Sequence, residues 1–299
     1  MHALASPSRA LSRLLLFATA FLFSTGGAAI KACSLTGWQV AGFRSGIAAV
    51  TLFILLPDAR RAWTWRTALV SSVYAATLVM FVLANKLTTS ANAIFLQSTA
   101  PLYFLLLGPL LLREPIRRID LLLITAVATG AVLLLFGSDS AGSTAQDPSR
   151  GNVLGALTGL SWALTLAGLR WLGKHDRNPE AGAATVIAGN AIAAVVCLPM
   201  ALPLGRIALP DAAVLIYLGV FQIGLAYFLL TRSIRQVPAL EAATLLLVEP
   251  VFNPIWTWLV HGERPSSLAL LGGLVILSAT FGATWWRSRN EVLKKLAAC

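Results

Sequence analysis

The chain has 299 residues, of which 57% are hydrophobic and only 12% are charged. A soluble domain carries about 25% charged residues, so this composition excludes an ordinary soluble enzyme or binding module and indicates an integral membrane protein. The formal net charge of +11 comes from short clusters of Lys and Arg between apolar runs, and without one basic face we expect no nucleic-acid partner.

Apolar runs long enough to cross a bilayer follow one another along the chain. A hydrocarbon core of about 30 Å needs roughly 20 residues of helix, and strands with open edges cannot satisfy their backbone in lipid. The sequence therefore predicts an all-α integral membrane protein with ten transmembrane helices. The ten runs are 12–32, 36–56, 67–86, 91–112, 118–136, 151–172, 182–203, 211–231, 239–261 and 266–286.

Basic residues set the predicted orientation. With the N-terminus in the cytoplasm, seventeen Lys and Arg residues lie inside and five outside, while Arg44 falls within a helix. This positive-inside bias predicts that both termini are cytoplasmic. A signal peptide is the alternative for the first run, which Arg9 and Arg13 precede, but its removal would leave the first half without a counterpart to the helix at 151–172.

Five helices in each half place the second half in the opposite orientation, as in transporters built from inverted repeats. We expect a first five-helix repeat in 1–136, an external linker in 137–150, and a second repeat with a short cytoplasmic tail in 151–299. A pattern of Ala, Pro and Glu occurs once in each half, with seven residues between Ala and Pro and twelve between Pro and Glu. Its two copies are Ala93, Pro101, Glu114 and Ala242, Pro250, Glu263. Such repeats favour a secondary transporter.

The segments around these copies, ANAIFLQSTAPLYFLLLGPLLLREP and EAATLLLVEPVFNPIWTWLVHGERP, resemble the paired EamA-type domains of the drug/metabolite transporter superfamily. Glu249-Pro250 and the stretch 262–265 carry the resemblance most specifically, whereas the first copy departs from it with Ala100 before Pro101. The resemblance implies an exporter of amino acids and other metabolites in a bacterial inner membrane, and in particular one similar to the aromatic amino-acid exporters of the YddG type.

The two prolines of the repeated pattern predict helix kinks. Pro101 and Pro250 have no amide hydrogen, so the carbonyls of Gln97 and Leu246 lose their helical partners. A freed carbonyl within the membrane must be satisfied by a neighbouring helix or face a wet cavity. The sequence leaves open whether the kinks line a substrate site or serve packing alone.

Two charged residues are predicted within the membrane. Glu249 falls near the middle of its run, where an ionised side chain costs about 2.5 to 3.5 kcal/mol unless it is protonated, paired or facing water. It could couple protons, recognise a cation, or form an ion pair with Arg44. Arg44 could instead bind a substrate carboxylate bidentately. For Glu114 and Glu263, near helix ends, we expect a solvated or capping role.

Helical spacing groups further aromatic and polar side chains into stripes that suit a pocket for a planar, partly polar molecule. The predicted cavity residues are Tyr74, Thr77, Phe81, Gln97, Tyr103, Trp162, Asn190, Asn253 and Trp256. Aromatic residues of membrane helices also serve packing and interfacial anchoring, so this alternative stays open.

The rival classes are a membrane-embedded enzyme and an ion channel. The sequence has no close-spaced acidic pair within the predicted helices, no Walker loop, and no Cys or His spacing typical of a metal site. It also has no filter motif of a channel. We therefore expect no enzyme activity, no metal and no cofactor. The expected partners are a small-molecule substrate and membrane lipid, with drug-like or nucleotide-linked metabolites as the alternative substrates; the oligomeric state stays open.

Overall fold

The computed structural model describes residues 8–103, 118–136, 144–176 and 178–297, which contain helices and no β-strand. Short 3-10 helices occur at Pro57–Arg61 and Ile234–Gln236, and a π-helical segment occupies Tyr217–Leu225. The α-helices are α1 Arg9–Ser24, α2 Gly26–Ala32, α3 Gly37–Leu55, α4 Trp65–Leu87, α5 Ser90–Gln97, α6 Arg118–Phe136, α7 Pro148–His175, α8 Ala181–Ala201, α9 Leu209–Ile216, α10 Ala226–Ser233, α11 Ala239–Leu246, α12 Val248–His261 and α13 Ser267–Ala297.

Seven helical segments of the described residues are long and apolar enough to cross a membrane. They are Arg9–Ala32, Gly37–Leu55, Trp65–Leu87, Pro148–His175, Ala181–Ala201, Leu209–Ser233 and Ser267–Trp286. This agrees with the predicted all-helical membrane protein, whereas the ten-helix count and the inverted repeats stay predictions. Glu114 and residues 104–112 of the run at 91–112 lie outside the described residues.

Two of the predicted membrane helices are interrupted close to their prolines. Helix α5 ends before a turn at Ser98 and Thr99, and a turn at Leu247 separates α11 from α12. Pro250 is therefore the third residue of a new helix, where a missing amide hydrogen breaks no intrahelical bond. The sequence interpretation placed Glu249 in the middle of one helix, but the structure places it in the first turn of α12.

The two halves of the chain pack mainly against each other. The most extensive helix contacts join α4 to α7 and α8, α3 to α8, and α6 to α13. At the last of these crossings the backbones touch, because a methyl group added to Gly272 would lie 2.5 Å from the carbonyl oxygen of Gly130. Gly219, in the π-helical segment, packs equally closely against α3, because a methyl group added to it would lie 2.5 Å from Ile47 Cβ. Small residues thus allow the halves to interleave around a central space.

Candidate functional site

A cavity of about 320 Å³ lies between the two halves. Its wall is formed by side chains from α1, α3, α4 and α5 in the first half and from α7, the π-helical segment, α10, α11, α12 and α13 in the second. The volume falls within the range of about 300 to 1,000 Å³ that is typical of small-molecule sites. The space suits one small molecule held between the halves.

Many of the residues predicted from the sequence meet in this cavity. Five of the nine predicted cavity residues line it, together with both predicted intramembrane charges and both kink prolines. They are Tyr74, Thr77, Phe81, Gln97, Trp162, Arg44, Glu249, Pro101 and Pro250. The turns that interrupt the two proline-containing helices also face the cavity, since Ser98 and Leu247 are part of its wall.

Arg44 is the buried cation of this cavity. It lies on α3 with an exposed fraction of only 2%, and its Nη2 donates to the carbonyl oxygen of Leu78 at 3.2 Å. Its Nε has no hydrogen-bond partner among the described residues. A buried guanidinium is costly unless its donors are satisfied, so Arg44 still has capacity to bind an acceptor.

Glu249 lines the same cavity but forms no ion pair with Arg44. Ion pairs among the described residues include those of Arg13 with Glu241, Lys31 with Glu263, and Arg150 with Asp147. In the first turn of α12, Glu249 lies where the partial positive charge of a helix N-terminus favours a carboxylate. The cavity therefore contains an arginine and a glutamate that do not bond directly to each other.

Aromatic rings form one wall of the cavity. The ring of Tyr74 meets Tyr227 edge-to-face at 6.0 Å between centroids and Trp162 at 6.4 Å. Phe23 extends this wall, at 5.1 Å from Tyr227. The hydroxyl of Tyr74 is buried and has no hydrogen-bond partner among the described residues. Such a wall suits a flat apolar group with a polar edge.

The sequence interpretation missed several polar and aromatic residues of the wall. Gln222 donates from Nε2 to the carbonyl oxygen of Phe23 at 3.4 Å, whereas its buried Oε1 and the buried hydroxyl of Thr280 have no partner among the described residues. Gln222 could have been identified as a polar residue in the middle of an apolar run, as Gln97 was. Tyr227 gave no such signal, because a π-helical segment changes the angular register of the residues after it.

Tyr103 and Asn190 do not line the cavity. Tyr103 lies beside α7, where a methyl group on Gly159 would be 3.2 Å from its ring. Asn190 is fully buried and donates from Nδ2 to the carbonyl oxygen of Val186 in its own helix at 2.9 Å. The sequence analysis selected both residues because they are polar and lie in the middle of predicted membrane helices. That position does not determine toward which neighbouring helix or cavity a side chain is directed.

Asn253 and Trp256 also lie outside the cavity wall, on the face of α12 that packs against α1 and α2. Trp256 donates from Nε1 to the hydroxyl of Ser24 at 3.0 Å, and Asn253 is fully buried against Gly27. These two residues share a helical stripe with Glu249 in the sequence. In the structure Glu249 faces the cavity, whereas Asn253 and Trp256 lie on a helix-packing face, because the stripe crosses the boundary between the two.

Of the two roles expected for Glu263, solvated or capping, the structure contradicts the solvated one and agrees with the capping one. Its carboxylate is buried with only 1% of the side chain exposed and forms an ion pair with Lys31, at 3.0 Å between Oε2 and Nζ. Its Oε1 accepts a hydrogen bond from the amide of Ser90, the first residue of α5, at 2.6 Å. Glu263 therefore caps a helix of the other half of the chain, which spacing along the sequence could not reveal.

Comparisons with known proteins agree with this architecture. The profile of the EamA-like transporter family matches residues 11–136 and 149–285. An uncharacterized transporter of Methanothermobacter thermautotrophicus is 29% identical over 223 residues, which cover 73% of this chain and 63% of the relative. Two relatives from Pseudomonas aeruginosa, each named Pseudopaline exporter CntI, are 27% identical over 89% of this chain and 93% of their own length.

A solved crystal structure superimposes on 95% of this chain and 100% of its own, with a TM-score of 0.62 at 17% identity, and supports the fold alone. The family match covers both halves of the chain and most of its length, and the relatives it resembles are transporters and exporters. The chain is a multi-pass membrane protein of the EamA-like transporter family.

Proposed function

We propose that this protein exports amino acids, preferably aromatic ones, from the cytoplasm by alternating access of the central cavity. The observation that carries the proposal is the cavity of about 320 Å³ in which Arg44, whose Nε has no hydrogen-bond partner among the described residues, and Glu249 lie beside an aromatic wall. An amino acid is a zwitterion and presents one complementary charge to each of these residues. Its side chain can then lie against the rings.

Each lining residue has a role in this proposal. The guanidinium of Arg44 binds the substrate carboxylate. Hydrogen bonds between two ionised groups are stronger than those between neutral groups, and the planar guanidinium can donate two of them to one carboxylate. Glu249 binds the ammonium group. Trp162 and Tyr74 stack against an aromatic side chain, while the buried amide oxygen of Gln222 accepts a remaining hydrogen bond.

The proposed transport cycle needs two related halves. We propose ten transmembrane helices in two inverted repeats, residues 1–136 and 151–299, with the linker at 137–150 outside and both termini in the cytoplasm of a bacterial cell. The positive-inside distribution of Lys and Arg supports this orientation. Rocking of one half against the other would expose the cavity to each side in turn.

A second candidate is export of pseudopaline or a related metabolite. The similarity to the two pseudopaline exporters, over 89% of this chain, favours it. The same charged pair would serve such a substrate if it carries both acidic and basic groups. Transport assays separate the two candidates directly.

The first prediction concerns the transported substrate. Purified protein in liposomes is expected to accumulate radiolabelled tryptophan and phenylalanine faster than threonine, because only the aromatic side chains use the ring-lined wall. The assay is run with and without an imposed pH gradient, and uptake of labelled pseudopaline is measured in parallel. Absence of amino-acid flux together with pseudopaline transport would favour the second candidate, and absence of both would overturn the proposal.

A matched pair of tryptophan variants tests the aromatic wall in the same assay. Trp162→Ala is expected to raise the KM for tryptophan about fivefold, since loss of an aromatic pair costs about 1 kcal/mol, and to raise the KM for threonine less. Trp285→Ala is the control, because Trp285 is exposed on α13 and does not line the cavity. Equal effects of Trp162→Ala on both substrates would remove the stacking role.

A further inference from the structure

A buried polar cluster closes one end of the helix bundle. This end, called the Glu263 end, is where α2, α4 and α12 finish and where α5 and α7 begin. Gly262 ends α12 in the left-handed conformation, with φ of 65°. A left-handed glycine reverses the chain direction after a helix, and the next residue, Glu263, is directed into the protein with only 4% of its surface exposed.

The hydrogen-bonding groups of this cluster are matched. Lys31 has three N–H donors, and its Nζ contacts Glu263 Oε2 at 3.0 Å, the carbonyl oxygen of Thr88 at 2.9 Å and that of Thr144 at 3.0 Å. The carboxylate of Glu263 also accepts from the amide of Ser90 at 2.6 Å and the hydroxyl of Thr144 at 2.8 Å. These five residues are the Lys31–Glu263 cluster.

The cluster joins segments that belong to different parts of the chain. Lys31, Thr88 and Ser90 come from the first half, Thr144 precedes α7, and Glu263 follows α12 in the second half. Separation of the halves at this end would have to break the ion pair and the Ser90 hydrogen bond together. The cluster is therefore a connection between the two halves and not a feature of one of them.

The cluster lies close to one end of the central cavity. Ile94, which lines the cavity, is one helical turn beyond Ser90 in α5. Trp162 lies fourteen residues after Pro148 in α7, which is about 21 Å from the Glu263 end at 1.5 Å per residue. The cavity thus begins about one helical turn from the cluster along α5 and continues toward the opposite end of the bundle.

We propose that the Lys31–Glu263 cluster is a latch that seals the Glu263 end of the bundle and opens when the cavity is exposed on that side. The inference rests on the proposed function, because a seal of this kind matters only if access alternates. A buried ion pair suits a reversible seal, since its Coulomb attraction is nearly offset by desolvation. Water entering the opened end hydrates both charges, so the open state costs little.

The test measures access to the cavity from the Glu263 end. The three native cysteines are replaced by alanine, and Gln97→Cys, which lines the cavity, is labelled by a membrane-impermeant thiol reagent added to intact cells. A separate Arg264→Cys variant, exposed beside Glu263, shows whether the Glu263 end faces the medium. If it does not, the same reagent is applied to inside-out vesicles.

Adding Glu263→Gln to the Gln97→Cys protein is expected to increase the labelling rate at least tenfold. The matched control is Glu241→Gln at the opposite end of the bundle. It removes the ion-pair partner of Arg13, whose Nε lies 2.5 Å from Glu241 Oε1, and should leave the labelling rate within twofold of that of the Gln97→Cys protein. An unchanged rate in Glu263→Gln, with a normal gel-filtration profile, would overturn the latch. An equal increase in the control would also overturn it, because the effect would not be local.

Removal of a buried charge can prevent folding, so a milder change is included. Thr144→Val removes one hydroxyl that donates to Glu263 and is expected to increase the labelling rate about threefold. An unchanged rate in this folded variant would count against the latch as well. Labelling needs no transported substrate, so a failure of the amino-acid proposal in liposomes leaves this result interpretable, and active transport with unchanged labelling would refute the latch alone.

Discussion

Arg44 shows how burial changes the role that a charged side chain can have. Its charged group has one backbone acceptor and an unpaired Nε in a cavity that also contains Glu249. Burial of a charge with unsatisfied donors is costly, and a carboxylate ligand would provide the missing acceptors. The sequence identified both charged residues from their position within apolar runs. It could not decide between an ion pair and a ligand site, because that depends on the relative placement of α3 and α12.

The residue-scale prediction concerns the geometry of Arg44. Arg44→Lys keeps the charge but loses the planar, bidentate donor, and is expected to weaken substrate binding about tenfold or more, since hydrogen bonds to charged groups contribute about 1.5 to 3 kcal/mol. Binding of radiolabelled substrate to detergent-purified protein measures the effect. Arg150→Lys is the control, because the side chain of Arg150 is exposed. Equal affinities of the two variants would argue against carboxylate recognition by Arg44.

At the scale of elements, the positions of the helix interruptions follow from the sequence but their form does not. Pro101 and Pro250 indicated where hydrogen bonds are lost, and the turns at Ser98 and Leu247 lie within three residues of them. The interruption at Thr25 and the π-helical segment Tyr217–Leu225 had no such signal. Both occur where packing against other helices, for example that of Gly219 on Ile47, determines the backbone.

The element-scale prediction concerns the crossing of α6 and α13. Gly272→Ala places a methyl group 2.5 Å from the carbonyl oxygen of Gly130, and neither backbone can move away cheaply. Overpacking of this kind costs about 1 to 3 kcal/mol, so we expect a fall of several degrees in the apparent Tm of the protein in detergent. The matched control is Gly282→Ala in the same helix, where an added methyl group meets nothing within 4 Å. A Tm for Gly272→Ala equal to that of the control would show that this crossing tolerates separation.

At the scale of the whole molecule, the halves are interleaved and not merely adjacent. The most extensive helix contacts pair first-half with second-half elements, as α4 does with α7 and α8. The central cavity and the Lys31–Glu263 cluster both lie between the halves. Neither half alone forms either of these sites, so we expect both halves to be needed for binding.

The whole-molecule prediction concerns topology. Green fluorescent protein fused to the C-terminus is expected to be fluorescent, and alkaline phosphatase fused there to be inactive, because the distribution of Lys and Arg predicts a cytoplasmic C-terminus. An epitope inserted between residues 137 and 143 should be accessible to antibody in spheroplasts. The opposite pattern of reporters would refute the proposed orientation, and a linker on the same side as the C-terminus would refute the inverted repeats.

The sequence by itself determined the class of this protein. Its apolar runs, repeated proline pattern and EamA-like motifs established a helical transporter of the membrane, because these signals depend on spacing along the chain and on the bilayer as solvent. Only the tertiary structure decided which candidates meet. In the structure, Arg44, Trp162 and Glu249 line one cavity. Asn253 instead packs against a neighbouring helix, and Glu263 is buried in an ion pair with Lys31. Contacts between helices far apart in sequence depend on how their faces pack, and spacing along a single helix does not encode that.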